Sequence, residues 1–431
     1  MEANHLFALT SLITSSVEDI VSAYASAGQS VPVLDSVEQG QFDTLAIDDI
    51  PDKLIHAIQL AEAACLQLIC SVSRPGTVFL SKARMHLEMA CLGAVLNARI
   101  PDLLVNKPEG MHVTQLAELS QFTAGVNKLE RVMRLLATPS VGHGIYAHNR
   151  LSIKLISKEG IPDVLACSRD HSSASIQLSQ ALTMPGGYGE TAFKQATGHK
   201  LFEYYGLPEN KDKEEQFQRS LAGWEEDFSM GYLRKVYPWS TKPPSTVVCD
   251  IGAGNGRVTL DLIKRYPHLK LIIQDQAAVV QVAKEFRASN YPEVPEGRVD
   301  FVPIDFFKDA PVEGCDVYFI KSVLHDWTDA ECVSILKNIR KAMKPSSRLI
   351  IQEVVIRKVL CSDNPQVDET EMPTWGPSEV KMFEYDILMM ELFDGKERTL
   401  EELVQLGTQS RLEFKEMYPA GDMALVEFSP M

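Results

Sequence analysis

The run Val247-Val248-Cys249-Asp250-Ile251 leads directly into Gly252-Ala253-Gly254-Asn255-Gly256 and then into Arg257–Ile263, whose apolar residues have helical spacing. The order is strand, tight glycine turn, helix. Glycine admits positive φ and lets a ligand approach the backbone closely. The helix beyond the turn offers unpaired N–H groups and a partial positive charge. From here on, short apolar runs alternate with helical patterns. Strands are predicted at Val247–Ile251, Leu271–Gln274, Val299–Val302, Val317–Ile320 and Leu349–Glu353, and helices at Val258–Tyr266, Ala277–Arg287 and Ala330–Met343. Such alternation defines a doubly wound, mostly parallel α/β sheet. Phe414–Met417 and Ala424–Phe428 are separated by too few residues for a parallel crossover, so the last strand is expected to run antiparallel.

Composition narrows the function. A formal charge of -16 over 431 residues argues against a nucleic-acid partner, which calls for a basic face. The 45% apolar content fits a soluble chain with sizeable cores. The eight cysteines form no CxxC pair, so neither a zinc site nor a disulfide framework is indicated. No basic leader and no uninterrupted apolar span of membrane length is evident, and a reducing cytoplasm is the expected location.

Ahead of the sheet, three segments can be distinguished by texture. Residues 1–75 read as two helices, about Leu6–Ala27 and Asp52–Ser71, joined by an extended linker. Residues 76–160 read as three helices and a hairpin. The helix Met85–Asn97 is apolar almost all round and is expected to be buried. Gln115–Ser120 follows Thr114 as cap, and Lys128–Ala137 completes the three. Ile145–His148 and Leu151–Ile153 flank an Asn149-Arg150 turn, a hairpin signature. Three helices and a hairpin make a winged-helix pattern, here expected to serve dimerisation or substrate covering rather than DNA. Residues 161–240 form a helical connector, broken at Met184–Gly189 and dense in aromatics, from which Phe217 and Trp224 are candidates for an apolar substrate pocket. Residues 241–431 make up the α/β domain.

Ligands of such sheets bind at the carboxyl ends of the strands. There the sequence places Asp275 after the second strand, Asp305-Phe306 after the third, Lys321 with His325-Asp326-Trp327 after the fourth, and Glu353 at the fifth. An acid about 20 residues beyond a glycine turn can accept both ribose hydroxyls. Gly256 stands two positions after Gly254, not the three of a dinucleotide fingerprint, and no basic group is placed for a pyrophosphate. A nucleoside without phosphates is the better fit. Out of context, His325-Asp326 would be a loop capping pair and Glu397 part of a solvated charge cluster.

Taken in order, Asp250-Ile251-Gly252-Ala253-Gly254-Asn255-Gly256, Gln274-Asp275, Asp305-Phe306, Lys321, His325-Asp326-Trp327, Glu353 and Gly395-Lys396-Glu397-Arg398-Thr399 form a spaced set. From about residue 80 onward the chain resembles the S-adenosylmethionine-dependent O-methyltransferases of the plant caffeate and flavonoid type, in particular their fungal secondary-metabolite branch. The resemblance implies a class I Rossmann-like domain behind a winged-helix dimerisation domain, a homodimer, and S-adenosyl-L-methionine as cofactor. It further implies that Asp250, Gly252, Gly254, Gly256 and Asp275 hold the cofactor's methionine and ribose, that Asp305, Phe306 and Trp327 frame its adenine, and that Lys321 lies beside it. His325 would be the general base, flanked by Glu353 and Glu397, with Asp326 in support. The partner is then a small hydroxylated acceptor, with no nucleic acid, membrane or metal required.

The residue types suit that chemistry. A phenol with a pKa of about 10 is barely ionised at neutral pH, and a neutral imidazole can take its proton. Two departures from the family pattern stand out. Gln276-Ala277-Ala278 replaces the usual leucine-proline, and the segment Met390–Asp394 lacks a substrate-touching asparagine, which makes Met390 and Phe393 candidates for a more apolar acceptor pocket. Residues Arg357 to Pro377 form a polar insertion after the fifth strand. Two other readings remain: a cofactor-binding pericyclase or dehydratase that transfers no methyl group, and a winged-helix regulator that keeps a ligand domain.

Overall fold

The computed structural model describes residues 2–45, 49–137, 143–183, 190–227, 232–356 and 377–431. The chain divides into two compact units: Met1–Gly187 with Ala192–Asp227 and Gln366–Val380, and Tyr188–Thr191 with Phe228–Pro365 and Lys381–Met431.

The first unit is helical. Glu2–Ser26 and Asp52–Val72 pack on each other. On length and composition these two helices are long and apolar enough to cross a membrane, though neither is an uninterrupted apolar span, since Glu18, Asp19 and Glu62 fall within them. The stretch between them is not wholly extended, because Gln41–Thr44 forms one helical turn. Helices Met85–Asn97, Val113–Leu119 and Val126–Leu136 follow. Around Val95, Ile100, Leu116, Leu129 and Met133 they enclose a small core.

Three sequence expectations fail in this unit. Met85–Asn97 is not buried: only Gly93 and Val95 are, while Met85 and Leu87 face solvent. Its all-round apolarity exceeds what one chain covers. The cap of Val113–Leu119 is the His112 imidazole, which accepts from Thr114 N, and not Thr114 itself. The hairpin at residues 145–153 does not form. Strand β2 (Ile145–Tyr146) pairs antiparallel with β1 (Met111–His112), and Ser152–Leu155 is a 3-10 turn held by Asn149 and Ser152 side chains. Short-range hydrogen bonds from Asn and Ser won over strand pairing there. The Met184–Gly189 break and residues 357–376 of the insertion lie outside the described residues.

Among its described residues the second unit holds seven strands: β3 (Val247–Ile251), β4 (Lys270–Asp275), β5 (Val299–Pro303), β6 (Val317–Lys321), β7 (Arg348–Val354), β8 (Leu412–Ala420) and β9 (Met423–Pro430). Their spatial order is β5-β4-β3-β6-β7-β9-β8. The first five are mutually parallel, and β9 runs antiparallel to both β7 and β8. Each predicted strand and helix of this unit is present within about two residues at its ends, apart from the longer β8 and the longer helix Ala277–Asn290. Cys249, Ile251, Tyr318, Ile320, Leu349 and Ile351 meet Ile335, Leu336 and Ile339 of helix Asp329–Ala342 in the central core. The register pairs Ile251 with both Gln274 and Ile320, and Lys321 with Gln352. The strands therefore end level, at a topological switch point between β3 and β6 where such sheets bind ligands.

Candidate active site

The glycine turn is built as its sequence demands. Gly252, Gly254 and Gly256 have φ of 68°, 56° and 75°. A Cβ at Gly256 would lie 2.4 Å from Ile273 Cδ1, and one at Gly252 2.7 Å from Val323 Cγ2. Gly254 differs: nothing stands within 4 Å of where its Cβ would be. Two glycines thus serve packing, and one leaves open space at the strand ends. Asp275 closes the turn from β4, its Oδ2 accepting from Gly254 N at 2.9 Å and its Oδ1 from Gln276 N at 2.7 Å. Burial raises its pKa, although these two N–H groups pull the other way. Beneath the turn Asp250 is buried and accepts from Thr259 Oγ1 at 2.5 Å. Burial first, and the charge of Asp275 second, push it up to about 7, against the opposing pull of Thr259 and Lys321.

Beyond the turn stands an aromatic wall. The Phe306 and Phe307 rings meet Trp327 edge-on, with centroids 6.2 and 4.7 Å away. The Trp327 indole Nε1 is buried without a partner. Phe307, the nearer ring, was not singled out from sequence, since two adjacent phenylalanines read alike. Asp305 is occupied locally: it accepts from Phe307 N and pairs with Lys308 Nζ at 2.6 Å, which lowers its pKa. Lys321 ends β6, with Nζ 3.4 Å from Ser322 Oγ.

His325 lies on the short turn Leu324–Asp326. Its Nδ1 is 2.8 Å from Glu397 Oε1 and 3.6 Å from Glu353 Oε2, and its Nε2 is 3.5 Å from Asp326 Oδ1. The expected flanking of the ring by Glu353 and Glu397 is therefore corrected. Both acids lie on the Nδ1 side, and Asp326 faces the other nitrogen. Glu353 is chiefly a loop holder, because its Oε1 accepts from Val323 N at 3.0 Å and Leu324 N at 2.9 Å. Burial opposes charge on the imidazole, but Glu397, Glu353 and Asp326 outweigh it and push His325 up to about 10. Burial also raises Asp326, to about 7, and Glu353. Glu353 Oε2 and Glu397 Oε2 are buried without hydrogen-bond partners.

The pocket candidates fall in both units. Met390 and Phe393 lie half-buried on helix Pro377–Phe393, five and two residues ahead of Gly395. Phe217 and Trp224 belong to helix Lys211–Asp227 of the first unit. There Phe217 stacks on Tyr205 at 4.7 Å beside His171, which marks it as part of an internal aromatic cluster. Asp386 was missed from sequence. It accepts the Glu397 N–H at 2.9 Å, and nothing in its surroundings in the chain signals that role.

A level-ended parallel sheet, an open glycine turn and a carboxylate-held histidine thus belong to the second unit. Residues 177–411 match the O-methyltransferase domain family. The 3-O-methyltransferase 2 of Phanerochaete chrysosporium is 39% identical, over 99% of this chain and 98% of its own length. A sterigmatocystin 8-O-methyltransferase of Aspergillus parasiticus is 28% identical over 78% of this chain and 80% of its own. Among solved structures, the mitomycin 7-O-methyltransferase MmcR superposes with a TM-score of 0.68 at 25% identity, over 83% of this chain and 98% of that one. The chain belongs to the O-methyltransferase family, and it is an enzyme of that activity.

Proposed function

We propose that the enzyme methylates a phenolic or enolic hydroxyl of a small aromatic or polyketide-type metabolite, with S-adenosyl-L-methionine as donor and His325 as general base. The observation that carries this reading is the 2.8 Å contact between His325 Nδ1 and Glu397. It leaves Nε2, whose nearest carboxylate is at 3.5 Å, as the nitrogen free to take a proton.

The residues at the strand ends fit the donor. Gly254 leaves room, Asp275 supplies carboxylate oxygens for a ribose, and the buried, unpartnered Trp327 N–H stands in an aromatic wall suited to a purine. Asp250 and Lys321 would support the methionine end, with Asp305 at the rim. When bound, the donor supplies an electrophilic methyl group on a sulfonium. The protein's part is acid–base work and placement. His325 takes the hydroxyl proton, and Glu397 holds the Nδ1–H and stabilises the resulting imidazolium. With the imidazole near 10, its proton affinity matches that of an ordinary phenol at about 10, so the transfer is close to thermoneutral. Placement of the acceptor oxygen accounts for much of the remaining acceleration.

His325, Glu353 and Glu397 also present ligand atoms within 4.8 Å of one another, close enough for a metal ion. The acid–base reading is preferred because the 2.8 Å contact with Glu397 suits a protonated Nδ1, which cannot ligate. Treatment with a chelator is expected to leave the rate unchanged. Loss of activity restored by a divalent ion would move the site to metal chemistry.

A homodimer and a reducing cytoplasm complete the proposal. Exposed Ile69, Val72, Phe79, Met85 and Leu87 support the first, and the seven free cysteines among the described residues support the second. Light scattering at micromolar concentration tests the assembly. Methyl transfer itself is tested by a mass-resolved assay on a panel of phenols, quinols and enolic polyketides, scoring both the methylated product and S-adenosylhomocysteine. Donor that binds but is never consumed would favour the non-methylating alternative.

A further inference from the structure

We infer that Arg398 is the positioning residue of this site, fastening the segment that carries His325 and Trp327 to the strap that carries Glu397. The inference rests on the reading of His325 as base. Arg398 is 2% exposed. Its Nη1 donates to Leu324 O and its Nη2 to Trp327 O, both at 2.7 Å. Its Nε and Nη2 donate to Asp329 Oδ1 at 3.0 and 2.9 Å. Its own backbone is tied to the continuation of β7: Ile356 N donates to Arg398 O at 3.0 Å, and Val355 bridges to Arg398 in parallel. One side chain and its peptide therefore touch the carriers of Glu353, His325, Trp327 and Glu397.

The neighbouring strap residues repeat the attachment. Lys396 N donates to His325 O at 3.0 Å. A Cβ on Gly395 would lie 1.9 Å from that same oxygen, so the strap lies against the histidine's backbone as only glycine permits. Asp386 holds the Glu397 N–H from the other side.

The two carbonyls that Arg398 grips bracket His325 and Asp326, so their positions fix the backbone from which the imidazole projects. The only side chain besides Arg398 with a bond to both among the described residues is Cys332, whose thiol lies at 3.2 and 3.5 Å and is a weak donor. A guanidinium presents its donors in a rigid planar fork, whereas an ammonium is a single point of charge on a flexible stem. Lysine keeps the charge at this position and loses the simultaneous grip. A misplacement of about 1 Å costs on the order of 10²-fold in rate.

The experiment uses the full-length enzyme labelled with 5-fluorotryptophan, with Trp327→Phe assigning the Trp327 fluorine resonance. For Arg398→Lys we expect kcat to fall about 10–100-fold with the acceptor KM within about threefold. The rise of rate with pH should move to lower pH, as His325 loses its contact with Glu397. The Trp327 resonance should shift in the ligand-free protein while the other tryptophan resonances hold. Wild-type kcat together with an unmoved Trp327 resonance would overturn the inference, whatever happens to the melting temperature. If Arg398→Lys does not fold, Asp329→Asn takes its place, since that anchor is more than half exposed. It should shift the same resonance and lower kcat about threefold or more, and wild-type values for both would likewise overturn the inference. The base reading fails separately, if His325→Ala keeps full rate, and the resonance arm remains decisive for Arg398 in that event.

Discussion

At the residue scale, the proposed site is a histidine among three carboxylates, and with His325 as base its charge state would govern when it works. With a pKa near 10, the ligand-free imidazole carries a proton at neutral pH. Methyl acceptance by an un-ionised phenol requires that the enzyme and acceptor together lose one proton first. The rate at subsaturating acceptor should therefore rise with pH from about 7 toward the alkaline side, and acidic phenols should show the rise at lower pH. Glu397→Gln removes the strongest raising charge, so the rise should move to lower pH while the plateau falls about 10²-fold or more; an unmoved pH profile would take Glu397 out of the mechanism. His325→Ala should cut turnover about 10²–10⁴-fold, with donor affinity by calorimetry nearly unchanged. That His325, Asp326 and Glu353 share one edge was legible in sequence because they lie at or just after neighbouring strand ends, whereas Glu397, between two helices, was placed with them only by the family resemblance. Their angular arrangement was not legible. Which nitrogen each acid faces depends on the turn at residues 324–326 and on the strap, and neither periodicity nor spacing encodes that.

Among the elements, the α/β unit was far more legible than the helical one. Its central strands are buried apolar runs punctuated by turn residues, and level parallel pairing fixes where they end. In the helical unit, periodicity located the helices but gave no account of what covers them, so the solvent-facing side of Met85–Asn97 was misread. The Asn149-Arg150 pair was likewise read as a hairpin turn when the Asn149 side chain caps a 3-10 turn. The glycine turn gives a sharp test of function by element. Gly254→Ala meets no neighbour and suffers only the strain of positive φ, about 1–2 kcal/mol. It should fold, with donor binding weakened about tenfold or more as the methyl group occupies the open space. Gly256→Ala, 2.4 Å from Ile273, should lower the melting temperature substantially more. Equal donor affinity in wild type and Gly254→Ala would show that the turn does not approach the ligand.

For the whole molecule, the buried acids and the histidine pull stability in one direction. Asp250 and Asp326 sit near 7 when folded against 3.8 as reference, and His325 near 10 against 6.5. In each case the folded state binds more protons across that interval, so stability falls as pH rises: between about 4 and 7 for the acids, and between 6.5 and about 10 for the histidine. The ligand-free protein should melt at a lower temperature at pH 9 than at pH 6, and Asp326→Asn should flatten the acidic part of that slope. A melting temperature that rises with pH would contradict the charge arrangement described.

The order of strands has a consequence for biosynthesis. A chain made from its N-terminus delivers β9 last of the seven, yet β9 lies between β7 and β8 and pairs along the whole of Arg348–Val354 except its first residue. Until residues several tens of positions downstream have emerged, β7 is an open edge of unpaired amides and carbonyls, a template for pairing with foreign strands. At ribosomal speed that interval lasts several seconds. The strand that carries Glu353 is thus exposed to misassociation in the nascent protein, and any truncation before Met423 leaves it so permanently.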